Sequence, residues 1–335
     1  MSGLADRVVA FGPGRVNLIG EHTDYNEGLA MPFAIGLGVT VTATPADRFT
    51  VSALDYGETD EFTTPEPAAG WRAFPRGMVA ELRAAGFAVE PRRLEISGDL
   101  RQGTGLSSSA ALEAALALAL LGGPPEDLKA LAKICSKVEN EWVGAQTGLL
   151  DQLASLMSQP GHVLRIDFRS LAVEPHPLDL GDWKLVTVDS GATHSIAASG
   201  YNQRRDECRQ VCERLGIDSM RDATLDGLEG VLLKRARHVI TENERVDAMA
   251  RALDAHDLEA VGELLDASHV SLRDDYEVSV PEVEGTRDRL KAAGAAGARM
   301  VGGGFGGAVL ALLPPGVLQP AGALAVAPHP PARIL

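Results

Sequence analysis

Apolar residues fall into two patterns along this chain. The first part has short apolar stretches broken by glycine, proline and polar residues, the signature of strands. Residues 7–11 read as a strand followed by a turn at Gly12-Pro13-Gly14, and further strand-like stretches lie around 37–44 and 49–54. Residues 78–85 read as a helix and 94–96 as a strand; a glycine-rich turn at 103–105 then runs into an Ala/Leu-rich helix starting near Ser107. Its most apolar run, 110–121, reads as buried. A second helix is expected over 128–143, strands at 163–166 and 185–189, and mostly helix from 203 to the glycine run at 302–307. Residues 308–313 are apolar and end at Pro314-Pro315, as a buried strand would. The order of elements is α+β, without the regular βαβ alternation of a doubly wound sheet. A soft boundary near 165 gives an N-terminal domain, 1–165, and a C-terminal domain, 166–335. The Pro-, Ala- and Gly-rich tail from 314 leaves only its last residues an ordered role.

At 335 residues and 45% apolar content, the chain can bury a core in each of two domains. Its formal net charge is −15, with 31 Lys and Arg against 46 Asp and Glu and no basic run, which excludes a nucleic-acid surface and favours solubility. No segment reaches the ~20 apolar residues of a membrane-spanning helix, and the first ten residues do not read as a signal peptide. Cys135, Cys208 and Cys212 lack the CxxC spacing of a zinc site and do not suggest a disulfide framework. A reducing, cytoplasmic setting follows.

The most chemically loaded segment is Gly103, Thr104, Gly105, Leu106, Ser107, Ser108, Ser109 and Ala110. Its glycines let backbone N–H groups approach an anion, the following helix N-terminus adds positive potential, and the hydroxyls can meet phosphate or Mg2+. Simple N-capping by serine accounts for the same residues equally well. No Gly-Lys-Ser or Gly-Lys-Thr occurs, which removes the P-loop class. Gly302, Gly304 and Gly307 match GxGxxG, yet the run enters a strand and no acidic residue follows in 322–327, so it is not a dinucleotide fingerprint. It marks a close backbone approach, to a phosphate or to another strand.

Residues 14–26, GRVNLIGEHTDYN, concentrate polar side chains between glycines and Pro32. A hexose presents hydroxyls that both donate and accept, which carboxylates and a histidine on one loop can bind together. Glu21, His22 and Asp24 are also potential metal ligands, and a solvated loop is the plain alternative. Downstream, Glu139 lies on a helix and Asp151 follows Gly148-Leu149-Leu150 among leucines, as a helix-capping acid or as a buried base.

Together these segments resemble the GHMP kinases and, within them, the galactokinase family, over about residues 7–314. GRVNLIGEHTDYN resembles that family's own signature, GTGLSSSA the shared ATP-binding motif, and 302–307 the third, glycine-rich motif. Residues 148–152, GLLDQ, are similar to the segment holding the catalytic aspartate, and Tyr201 with Arg204-Arg205 to the sugar-contacting tyrosine region. The resemblance implies two α/β lobes with the active site between them, the first like ribosomal protein S5. It implies that Glu21, His22, Asp24 and Tyr201 hold galactose hydroxyls, with Thr23 and Gly148 in the same segments. Asp151 would be the general base beside the anomeric hydroxyl, and Arg15 would steady charge at the transfer centre. Residues 103–109 would cradle the phosphates of ATP, Ser109 and Glu139 would bind Mg2+, and Trp71 and Phe74 would flank the adenine. A cytoplasmic monomer acting in galactose catabolism is the expectation. The chain differs from the family pattern in lacking its usual N-terminal helix and in a short end after Pro314. Sister kinases of N-acetylgalactosamine, arabinose or galacturonate share this machinery. A non-catalytic galactose sensor is disfavoured by the intact serine loop, and a metal-dependent hydrolase leaves both glycine loops unexplained.

Overall fold

A computed structural model describes residues 6–100, 105–192 and 197–335. In chain order the first lobe contains β1 (Val8–Asn17), β2 (Leu29–Ala30), β3 (Pro32–Pro45), β4 (Phe49–Ala53), β5 (Glu58–Phe62), α1 (Ala73–Ala84), β6 (Arg92–Gly98), α2 (Ser108–Leu121), α3 (Leu128–Lys137), α4 (Leu150–Met157), β7 (His162–Asp167) and β8 (Ala172–Pro177). The second contains β9 (Lys184–Asp189), α5 (Ala197–Leu215), α6 (Gly230–Asp254), α7 (Leu258–Asp274), α8 (Pro281–Ala292), β10 (Gly297–Val301), β11 (Ala308–Leu313) and β12 (Leu324–Val326); β13 (Arg333–Ile334) returns to the first lobe.

A six-stranded sheet in the order β13-β1-β3-β6-β4-β5 packs against the helices of the first lobe. Its strands pair antiparallel except β4 with β6, giving the mixed sheet of an α+β protein. Helix α2 is apolar all round, so it runs through the core and not along a surface. The second lobe folds α5–α8 against the sheet β10-β11-β9-β12. A third cluster, built on Leu18, Ile19, Phe33, Met249 and Leu310, joins the lobes.

Several expectations change. The Gly12-Pro13-Gly14 turn is no turn: β1 runs straight through it, with a register shift between Pro13 and Arg15. The glycine is needed for a close approach, because a Cβ on Gly12 would lie 2.0 Å from the Ala111 carbonyl of α2. The helix expected over 128–143 ends as α3 and continues as a π-turn, Val138–Val143. Residue 165 falls inside β7, which pairs with β8 in a hairpin. The tail carries ordered structure in both β12 and β13.

Candidate active site

Strand β1 delivers Arg15 and then opens into a polar loop that rejoins the fold at β2. The Thr23 hydroxyl lies 2.9 Å from the Gly20 carbonyl and 2.7 Å from that of Leu29, and the N–H groups of Asn26 and Gly28 donate to the Thr23 carbonyl. Thr23 therefore braces the loop, with its side chain fully buried and not among those lining the cavity. The bracing turns Glu21, His22 and Asp24 into a cavity between the lobes. His22 takes a left-handed backbone conformation, φ 62°, which swings its ring inward.

The opposite wall comes from the start of α4. Asp151 sits in the first turn, but its side chain does not cap the helix. It forms a two-pronged pair with Arg15, Nε to Oδ1 at 2.8 Å and Nη2 to Oδ2 at 3.0 Å. The Ser107 hydroxyl also donates to Asp151, and Arg15 Nη1 donates to the Gly105 carbonyl. Strand β1, the start of α4 and the serine loop thus meet at one guanidinium. Gly148 lies flush against Asp24, whose Oδ2 would be 2.0 Å from any Cβ there. Burial, then the nearby Asp151, pushes Asp24 up to about 6, partly offset by the Tyr25 and Leu150 N–H groups.

The glycine run forms the loop joining antiparallel β10 and β11, not the strand-to-helix turn of a dinucleotide fingerprint, and Gly302, Gly303 and Gly304 line the cavity. Its Gly302 N–H donates to Glu21 Oε1 at 2.9 Å, and Tyr201 of α5 packs against Gly303. Arg299 reaches Glu21 Oε1 at 3.1 Å from β10. His22 Nδ1 lies 2.8 Å from the Tyr25 hydroxyl, and burial holds the imidazole well below its usual range, hence neutral.

Ser108, Ser109, Trp71 and Phe74 line a second cavity, so the aromatic pair and the serine loop come together. Trp71 Nε1 donates to Glu58 at 2.8 Å, which fixes the ring at its rim. Leu106 is buried. Gly103 and Thr104 lie outside the described residues.

Glu139, in the π-turn, lies behind the first cavity. Its Oε2 accepts from Thr147 at 2.6 Å and from Gln152 at 2.9 Å, and the same Gln152 amide donates to Glu113 at 3.0 Å. Burial followed by Asp151 raises Glu139, and burial followed by Glu139 raises Glu113. Sequence reasoning missed Glu113, although a charge inside the otherwise apolar α2, four residues after Ser109, is itself a signal. It also missed Glu242, Arg299 and His238, the groups of the second lobe that hold the sugar loop.

Among the described residues no helix is long and apolar enough to cross a membrane, and no three His, Cys, Asp or Glu side chains form a metal-binding group.

The galactokinase galactose-binding signature matches residues 3–45, the GHMP kinase N-terminal domain 73–159 and the GHMP kinase C-terminal domain 249–324. The chain is 42% identical over 309 residues to the galactokinase of Thermotoga petrophila, covering 90% of this chain and 87% of that protein. With the Haemophilus influenzae galactokinase the identity is 40% over 329 residues, covering 92% and 85%. The structure of Lactococcus lactis galactokinase complexed with galactose superposes with a TM-score of 0.90 at 31% identity, covering 98% of this chain and 95% of that one. Methanococcus jannaschii mevalonate kinase, at 17% identity and a TM-score of 0.67 over 94% and 92% of the chains, shares the fold. The chain therefore belongs to the galactokinase family, phosphotransferases with an alcohol acceptor and ATP as donor, built on the GHMP kinase fold.

Proposed function

We propose that this enzyme transfers the γ-phosphoryl group of ATP to the anomeric hydroxyl of α-D-galactose, giving galactose 1-phosphate and ADP, the entry step of galactose catabolism. The observation that carries the reading is the Arg15–Asp151 pair on the wall of a cavity also lined by Glu21, His22, Asp24 and Tyr201. Those four side chains suit a ring of hydroxyls: ionised carboxylates accept, while the imidazole and the phenol can do either. Asp151 accepts the proton of the attacking hydroxyl. Its oxygens offer about four lone-pair sites, of which Arg15 and Ser107 take three. Arg15 stands ready to steady the charge that shifts during transfer. Phosphoryl transfer through a loose transition state needs mainly this positioning and charge neutralisation. The cavity of Trp71, Phe74, Ser108 and Ser109 would take the adenine side of ATP, with backbone N–H groups of 103–109 at its phosphates.

The residues fit Mg2+ as well. Glu139 and Glu113 share the Gln152 amide, and burial with a neighbouring carboxylate, Asp151 for Glu139 and Glu139 for Glu113, raises both, an unfavourable arrangement that a divalent cation beside Glu139 would relieve. Mg2+ binds through one or two protein oxygens plus phosphates and water, and Ser109 and Glu139 would be its protein ligands in this reading. When bound, it would neutralise phosphate charge.

The test is ADP release with ATP and Mg2+ and, in parallel, galactose, N-acetylgalactosamine, arabinose, galacturonate and glucose. Turnover with galactose alone is expected. Turnover only with another sugar would move the specificity to a sister kinase, and binding without turnover would make the protein a sensor.

A further inference from the structure

We propose that Tyr25, Tyr276 and Cys208 are positioning residues: they form a one-way chain of hydrogen bonds that keeps the proton of His22 on Nε2, so the ring presents a donor to a sugar oxygen. The proposal rests on the sugar-cavity reading above. The chain starts at Asn26. Its Nδ2 donates to the His22 carbonyl at 2.7 Å, which fixes the amide so that the amino group, and not the carbonyl, faces Cys208 Sγ at 3.6 Å. With its sulfur accepting there, the Cys208 thiol donates to the Tyr276 hydroxyl at 3.1 Å. Tyr276 then donates to Tyr25 at 2.8 Å, and Tyr25 to His22 Nδ1 at 2.8 Å.

At the far end, His22 Nε2 is buried with no hydrogen-bond partner among the described residues and the ring lines the cavity, so that nitrogen is left for a ligand. The opposite direction would put two donors on the Cys208 sulfur. Tyr276 and Cys208 are buried, so neither hydroxyl nor thiol can turn to bulk water instead. The Tyr276 ring is also gripped between His22 and His238, at centroid distances of 4.7 and 4.4 Å.

A histidine contact is thereby converted from an ambiguous donor or acceptor into a defined donor. Two of the three residues that do so, Cys208 on α5 and Tyr276 after α7, lie more than 180 positions from His22 in sequence.

The experiment is two-bond 15N–1H correlation NMR of 15N-histidine-labelled protein without sugar, paired with calorimetric titration of galactose. His22 is expected as the Nε2–H tautomer in the parent chain and in Cys208→Ser, which keeps a donor and acceptor at that position. Tyr25→Phe and Tyr276→Phe should give mixed tautomers and bind galactose about tenfold more weakly, the effect of one misoriented hydrogen bond. An Nδ1–H tautomer in the parent chain, or Phe variants with an unchanged His22 spectrum, would overturn the relay. The expected tautomer in a parent chain that does not bind galactose would instead overturn the sugar role, which separates the two failures.

Discussion

Asp24 sits where an ionised carboxylate is poorly accommodated: it is buried, Asp151 is near, and Gly148 leaves it no room to retreat. Its pKa rises from 3.8 to about 6 on folding, so between those values the folded chain holds the extra proton. Stability therefore falls as pH rises from 4 to 6, by about 3 kcal/mol, and stays lower above 6. A sugar hydroxyl donating to the ionised form would offset that penalty. Galactose affinity should accordingly weaken as pH drops below about 6, and Asp24→Asn should both weaken it and flatten the profile; a pH-independent Kd in the parent chain would speak against the contact. Gly148→Ala should weaken galactose binding while leaving nucleotide binding intact, which separate titrations will show. Asp151→Asn should keep both ligands bound and lower kcat by about 100-fold to 10,000-fold. Full activity in that variant would remove Asp151 as the base.

At the scale of elements, the sugar loop owes its shape to helix α6 and strand β10. Glu242 accepts from the Gly20 N–H at 3.0 Å, from Ser268 at 2.7 Å and from Arg245 at 2.7 Å. Asn243 takes the Leu29 N–H at 2.7 Å, and Arg299 donates to the carbonyls of Asn17 and Leu18. Despite complete burial, the charges of Arg245, His238 and Arg299 hold Glu242 down at about 2. A depressed carboxylate stabilises the fold above its unfolded value near 4.5, and that contribution is lost as pH falls toward 2. Glu242→Gln should cost about 3–5 kcal/mol, the usual penalty for stranding a buried partner, and should flatten the acid limb of the stability curve. Urea unfolding at several pH values measures both effects.

At the scale of the molecule, the chain end is tied into the first lobe. The N–H groups of His329, Ala332 and Leu335 donate to the carbonyls of Ala34, Ser155 and Val9, and β13 pairs with β1 at Ala10 and Phe11. Removing residues 329–335 should lower the melting temperature by several degrees, with galactose affinity little changed, since none of these residues lines the cavity. An unaltered melting temperature would mean that β13 contributes nothing.

The sequence by itself determined the elements whose apolar period is unambiguous. The run 308–313 is strand β11, the Ala/Leu stretch is α2, and polar residues crowded between glycines marked 14–26 as a candidate binding loop, four of whose residues line the cavity. Tertiary structure alone decided what touches what. It made Gly12-Pro13-Gly14 the middle of a strand, because α2 presses on it. It assigned Thr23 to bracing and Asp151 to Arg15 in place of a helix cap. It also brought Glu242, Arg299 and Tyr276 to a loop more than 200 residues away. Periodicity reports which face of an element is buried, and that is a local property. A buried charge or hydroxyl finds its partner by proximity in space, and spacing along the chain carries no trace of that.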